Sequence, residues 1–192
     1  VDVDTLKNLG PLTAMAGIWE GERGLDIKPK AEGPKKQVYV ERIELQPIDP
    51  QTNGPQLLYG LRYHVHITKP YQVKTYHDQV GYWLWEPATQ TVIHTLTIPR
   101  GQALMAGGTV APDAKEFELI ARQGDPYYGI SSNPFLEHAF KTVEFRIKVR
   151  INDDGTWGYS EDTVMHIQGL SEPFHHTDDN ILHKVGEPTP NP

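Results

Sequence analysis

The sequence predicts an all-β fold, a single antiparallel sandwich or barrel, and three observations predict it. Glycine and proline are frequent, 17 and 16 of 192 residues, which leaves few stretches free for long helices. Between them lie short runs rich in Val, Ile, Thr and Tyr with partial alternation, the pattern of half-buried strands. Turn signals separate these runs, most clearly Asn152-Asp153-Asp154-Gly155, where Asp-Gly accepts the positive φ of a tight hairpin.

Taken in order, the strands expected are 37–46, 57–68, 79–85, 91–99, 117–123, 142–151 and 156–168, with a last one at 181–185. Pro87-Ala88-Thr89-Gln90 serves as a turn between two of them. The one helix expected, 11–16, is too short to form a layer. The segment 124–139 breaks the strand pattern with Pro126, Gly129 and Pro134 and reads as a long inserted loop. The length suits one domain over 1–192, with flexible tails at 1–8 and 186–192.

Composition narrows the chemistry. Apolar residues make up 38% and charged residues 22%, an ordinary globular balance. Without cysteine there are no disulfides, thiolate ligands or cysteine zinc sites. A net charge of −7 with no basic cluster beyond Lys35-Lys36 argues against nucleic acid. No apolar run approaches the roughly 18 residues of a membrane span. The first ten residues carry three charges and no apolar core, so no signal peptide is expected and a cytoplasmic location is.

The nine histidines are the main candidates for chemistry. His64 and His66 share one strand face, as a paired metal site of cupin type would require or as a plain polar face would show. His94 and His166 sit mid-strand, pointing either into a cavity or to solvent. His77, before a strand, reads alone as a turn residue. The densest polar cluster is His175-His176-Thr177-Asp178-Asp179-Asn180, either a ligand set with carboxylates to orient an imidazole or a solvated turn. Glu41 and Glu44, three apart on a strand, fall on opposite faces. There is neither a phosphate-binding glycine loop nor a nucleophile elbow.

Four segments resemble the nitrobindins, haem-binding β-barrels related in shape to fatty acid-binding proteins. They are Leu9-Gly10-Pro11-Leu12 with Gly17-Ile18-Trp19-Glu20-Gly21-Glu22-Arg23-Gly24; His77-Asp78-Gln79-Val80-Gly81-Tyr82; Ile98-Pro99-Arg100-Gly101 with Gly107-Gly108; and the closing stretch from Met165 through Pro173-Phe174 to Lys184. Their order along the chain matches the family's, although Gln79 stands where the family has an acid.

The resemblance implies a lipocalin-like antiparallel barrel of about ten strands with a short N-terminal helical turn and a mostly apolar cavity. It implies haem b with its iron held by one histidine, and reversible nitric oxide binding or isomerisation of peroxynitrite to nitrate. A homodimer is a further possible assembly. Aligned without gaps from Pro173 to Lys184, the family's axial histidine falls on Thr177. A bulge at the strand entrance would bring His176 into its place, with His175 behind it and Asp178 orienting the ring. His77 would lie near the open side of the haem. The rival readings are a carrier of a fatty acid or another apolar molecule, with Arg62, Arg146 or Arg150 meeting a carboxylate, and the cupin-type metal enzyme.

Overall fold

The computed structural model describes residues 1–190. Eleven strands form, and ten of them close into an antiparallel barrel. They are β1 (Gly17–Lys28), β2 (Lys35–Asn53), β3 (Gln56–Thr68), β4 (Thr75–Glu86), β5 (Thr91–Ile98), β6 (Gln102–Thr109), β7 (Glu116–Arg122), β8 (Ile130–Ser132), β9 (Phe140–Ile151), β10 (Trp157–Ile167) and β11 (Phe174–Gly186). Around the wall the order is β1-β2-β3-β4-β5-β6-β7-β9-β10-β11, closing through the β1–β11 pair. Closure pairs the strand edges that an open sandwich would leave exposed, most weakly between β6 and β7. Among the described residues, no helix is long and apolar enough to cross a membrane.

The expected strands all form, most with ends shifted by a few residues, but β2 runs on to Asn53 and β11 begins at Phe174, seven residues before the expected start, so the His175–Asn180 cluster lies in the strand and not in a turn before it. The strand patterning did not show β1 or β6, whose glycines dilute the Val/Ile/Thr signal. The inserted segment is not a structureless loop. It contains β8 and a short helix α1 (Pro134–Ala139), whose N-cap Asn133 accepts the Leu136 amide at 3.0 Å. β8 pairs with Gln102–Leu104 of β6, where β6 and β7 are joined only at Gly107↔Ile120. The Gln102 amide donates to Ser132 at 2.9 Å and to Thr142 of β9 at 3.0 Å, so the insertion stitches this weak seam.

One end of the barrel is plugged. Two 3-10 turns, Thr5–Lys7 and Gly10–Met15, tuck Leu9, Leu12 and Met15 fully out of solvent. The Trp19 indole donates to the Met15 carbonyl at 2.7 Å, and Thr5 donates to the Ile48 carbonyl at 2.6 Å. Thus the stretch 1–8, expected as a loose tail, contributes a buried Thr5. At the other tail the Thr189 amide donates to Gln46, while residues 191–192 lie outside the described residues. Above the plug, Trp83, Trp85, Trp157, Leu45, Leu61, Val92, Leu119 and Val149 fill the barrel. The opposite end is ringed by half-buried side chains, and the polar groups gather there.

A one-residue irregularity in β1 decides which residues face inward. Up to Gly21 the β1–β2 pairing follows one register, and from Gly24 it follows another displaced by one residue. The same step appears against β11 between Glu20 and Leu25. Such a bulge inverts the alternation beyond it. Trp19 and Gly21 face in before it; Gly24, Asp26 and Lys28 face in after it. Gly24 is required because a Cβ there would lie 2.1 Å from the Tyr39 ring.

Candidate functional site

The site is built on β11. The β10–β11 ladder runs without interruption from Trp157↔Leu182 to Met165↔Phe174. Strict alternation therefore carries inward orientation from buried Leu182 through Asn180 and Asp178 to His176. His176 points into the barrel; His175 and Thr177 point out. The bulge expected at the entrance of this strand is absent, and the compensating irregularity lies in β1 instead.

His176 Nε2 meets Asp26 Oδ1 at 2.7 Å and lies 3.6 Å from Asp178 Oδ2. Asp26 is the closer partner, and its side chain is 5% exposed. Tyr76 of β4 donates to the other Asp26 oxygen, and Lys28 donates to the Tyr76 hydroxyl. Burial pulls the His176 pKa down, but the Asp26 bond and the fields of Asp178 and Asp26 outweigh it, so the imidazole is held above its ordinary value. Burial pushes Asp26 up, but the bonds from His176 and Tyr76 win and its carboxyl stays below the usual range. Both shifts favour the imidazolium bound to a carboxylate.

His77 faces inward from β4, directly opposite Ile67 of β3. Its Nε2 contacts Gln79 Oε1 at 2.9 Å. Burial is the main cause that lowers its pKa, with Arg100 and His176 adding repulsion, so this ring is neutral. Lys28, Lys69 and Arg100 bring positive charge to the same end.

Beneath the histidines lies a layer of buried acids and tyrosines. Glu41, 2% exposed, accepts from Tyr159 at 2.8 Å and Asn180 at 2.9 Å, and Tyr159 and Tyr39 share a 2.7 Å bond. Burial raises Glu41 to about 7 despite those donors. Asp178 is likewise raised to about 7, first by burial and then by the fields of Asp26 and Asp179, against the pull of His176. Glu161 is raised further by burial and by Asp178 and Glu41. A void of about 20 Å³ between Glu41, Tyr63, Gln79, Tyr159 and Glu161 has room for one water. The expected cavity, mostly apolar, is therefore corrected: apolar packing fills the plugged half, and the open half is polar. A larger groove of about 770 Å³ runs along the outer wall past Arg62, His64, Tyr82 and Met105, away from these groups.

A family model for the THAP4-like, heme-binding beta-barrel domain matches residues 8–184. This chain belongs to that family. Among solved structures it is similar to Rv2717c from M. tuberculosis, with 23% identity and a TM-score of 0.62 over 96% of this chain and 99% of that one. At that identity the likeness shows the fold. No curated protein sequence matches the chain.

A haem in a barrel of this family asks for a neutral imidazole nitrogen, apolar walls beside the macrocycle and bases for the propionates. The open end supplies Ile67, Ile98 and Met165 as apolar surface, Lys28, Lys69 and Arg100 as bases, and His176 and His77 as imidazoles. The residues fit the group on one condition. His176 must release its proton and its Asp26 bond, because Nε2 is committed to that carboxylate.

The other candidates resolve plainly. His175 lies outside and pairs with Asp162 at 2.7 Å, so it cannot stand behind His176 as an internal ligand. His64 and His66 face solvent, where His64 meets Asp78 at 3.2 Å and His66 meets Thr75 at 2.9 Å; they form no internal metal pair. His166 is exposed. His94 is enclosed, stacked on Trp83 at 3.9 Å, and burial lowers its pKa to about 3, so it is a neutral core residue. Arg62, Arg146 and Arg150 all lie on the outer face, and Arg146 is bound to Glu118 and Glu144, so none waits inside for a fatty acid carboxylate. Asp26, Tyr76 and Glu161 are the site residues that the sequence did not single out, and Glu41 was weighed only against Glu44, which lies on the other face. The one signal for Asp26 was the glycine-bounded run Gly21-Glu22-Arg23-Gly24, which marks a bulge.

Proposed function

We propose that this chain binds haem b at the open end of its barrel, with His176 as the axial ligand. The observation that carries this reading is the inward placement of His176 on β11, beside Asp26 and Asp178 and across the mouth from neutral His77. Carboxylates next to a ligating imidazole fix its orientation and raise its basicity. The absence of cysteine leaves no thioether attachment, which favours a non-covalent haem. The core beneath is filled, so a haem would be held at the rims of β3, β4 and β11, where Lys28, Lys69 and Arg100 would offer bases to its propionates. Ferric haem held there would supply an open coordination position for nitric oxide, or for isomerising peroxynitrite to nitrate.

The chain's own contribution is proton control. The proton on His176 competes with iron, and its pKa lies above the ordinary 6.5. Haem affinity therefore rises with pH through that value and falls below it. The test is haem titration of the apo protein followed by its Soret band, at pH 6 and pH 8, for the wild type and His176→Ala. Saturable one-to-one binding, tighter at pH 8 and lost or spectrally shifted in the variant, is the expected result. Absence of saturable binding at either pH would overturn the proposal.

A further inference from the structure

The wall of the open end holds three acids in one row. Asp26 of β1 is the register partner of Asp178 of β11, and Asp178 is the register partner of Glu161 of β10. All three side chains face inward. Like charges directly opposite one another on adjacent strands are destabilising, so such a row persists only where something compensates it. For Asp26 the compensation is visible in Tyr76 and His176. For Asp178 it is partial, since His176 stands 3.6 Å away, and Glu161 has none by hydrogen bond. Among the described residues Asp178 makes no hydrogen bond, its nearest basic group being His176 Nε2 at 3.6 Å, and the half-buried Glu161 makes none either. The nearby ammonium of Lys28 bonds the Tyr76 hydroxyl instead of any of these carboxylates.

An oxygen of Asp26, an oxygen of Asp178 and a ring nitrogen of His176 all lie within 4.8 Å of one another. One imidazole and two carboxylates, from two adjacent strands held in fixed register, make the donor set of a borderline divalent cation such as zinc, cobalt or manganese. We propose that Asp26, Asp178 and His176 form a site for one divalent transition-metal ion, with Glu161 adding negative charge behind Asp178. The ion would add positive charge to a row in which Asp178 has only the fields of His176 and Lys28 and makes no hydrogen bond of its own.

A second consequence rests on the haem reading given above. The cation takes the His176 nitrogen that faces Asp26, which is the nitrogen haem ligation needs, so the two ligands exclude each other. The fold then has an occupancy switch at one imidazole.

The experiment uses the full chain, stripped with chelator, at pH 7.5. Cobalt(II) is titrated by calorimetry and by its visible spectrum into the wild type, Asp178→Asn, His176→Gln and, as a surface control, His175→Gln. Circular dichroism confirms that each variant is folded. The expected result is one equivalent of cobalt, weakened by more than about tenfold in Asp178→Asn and His176→Gln and unchanged in His175→Gln. No binding, or binding that Asp178→Asn and His176→Gln leave intact, overturns the metal site. Haem is then titrated with and without saturating zinc(II). Loss of haem binding under zinc supports the exclusion, and equal binding with zinc overturns it. Haem titration without metal reports on the haem proposal by itself, so failure of one reading is distinguishable from failure of the other.

Discussion

Replacing Glu41 by glutamine isolates the acidity of the barrel interior. The carboxyl titrates near 7 in the folded protein against an ordinary 4.5. Its folded pKa is raised, so the native state binds the proton more tightly than the unfolded chain does. The stability gained from the neutral form is complete below pH 4.5 and is lost as pH rises through 7. One proton is worth about 1.4 kcal/mol per pH unit, so the wild type loses on the order of 3 kcal/mol across that window from this group. Glutamine is neutral throughout and removes that slope. It also brings a cost. Tyr159 and Asn180 both donate to one oxygen of Glu41, and the new amide nitrogen, at the place of the other oxygen, stands where the wild type makes no hydrogen bond. An unsatisfied buried donor costs about 1–3 kcal/mol. Glu41→Gln is therefore expected to be less stable than the wild type by about 1–3 kcal/mol at pH 4.5. By pH 8 it should draw level or pass it. Urea unfolding followed by tryptophan fluorescence at half-unit pH intervals measures both curves, since Trp19, Trp83 and Trp157 are all buried. The other titrating groups are common to both proteins. A constant offset between the curves at every pH would refute the reasoning, because it would mean that Glu41 does not take up a proton in this range.

Two other substitutions probe the frame around the site. His94, held to about 3 by burial, is neutral when folded, so its stabilisation is present above pH 6.5 and is lost as pH falls toward 3. His94→Phe keeps a ring against Trp83 and should spare about 3 kcal/mol of the loss between pH 7 and pH 4, read from paired urea melts. Gly24→Ala drives a methyl into the Tyr39 ring, whose nearest carbon would be 2.1 Å away, and should destabilise by about 1–3 kcal/mol in the same assay while weakening any ligand held by Asp26.

Particular residues show how much of this was legible beforehand. The strands β3, β5, β9 and β10 appear in the sequence almost to their ends, because Val, Ile, Thr and aromatic residues alternate there with polar ones. β1 was visible only through its likeness to a family segment, since three glycines in twelve residues erase the propensity signal. His176 could be named because histidine is a rare and chemically capable residue beside two acids. Its partner could not be named. Asp26 is 150 residues away, and nothing local distinguishes it from a surface aspartate. Asp178, two residues from His176, was the natural guess for the orienting carboxylate, yet it stands 3.6 Å away while Asp26 stands at 2.7 Å.

What the sequence determined by itself was the material: an all-β chain with turns in the right places, no thiols, and a dense His-Asp segment near its C-terminal end. Propensity, turn chemistry and composition are local properties, and local sequence carries them. What only the tertiary structure decided was parity. In a strand each residue faces opposite to its neighbour, so a single extra residue exchanges inside for outside along everything that follows. Read without interruption from Trp19, the alternation in β1 would bury Leu25 and Ile27 and expose Asp26. The bulge between Gly21 and Gly24 reverses this and leaves Asp26 3% exposed, against His176. Whether that extra residue is absorbed as a bulge depends on the pairing with both neighbouring strands, and that pairing exists only once the barrel has closed.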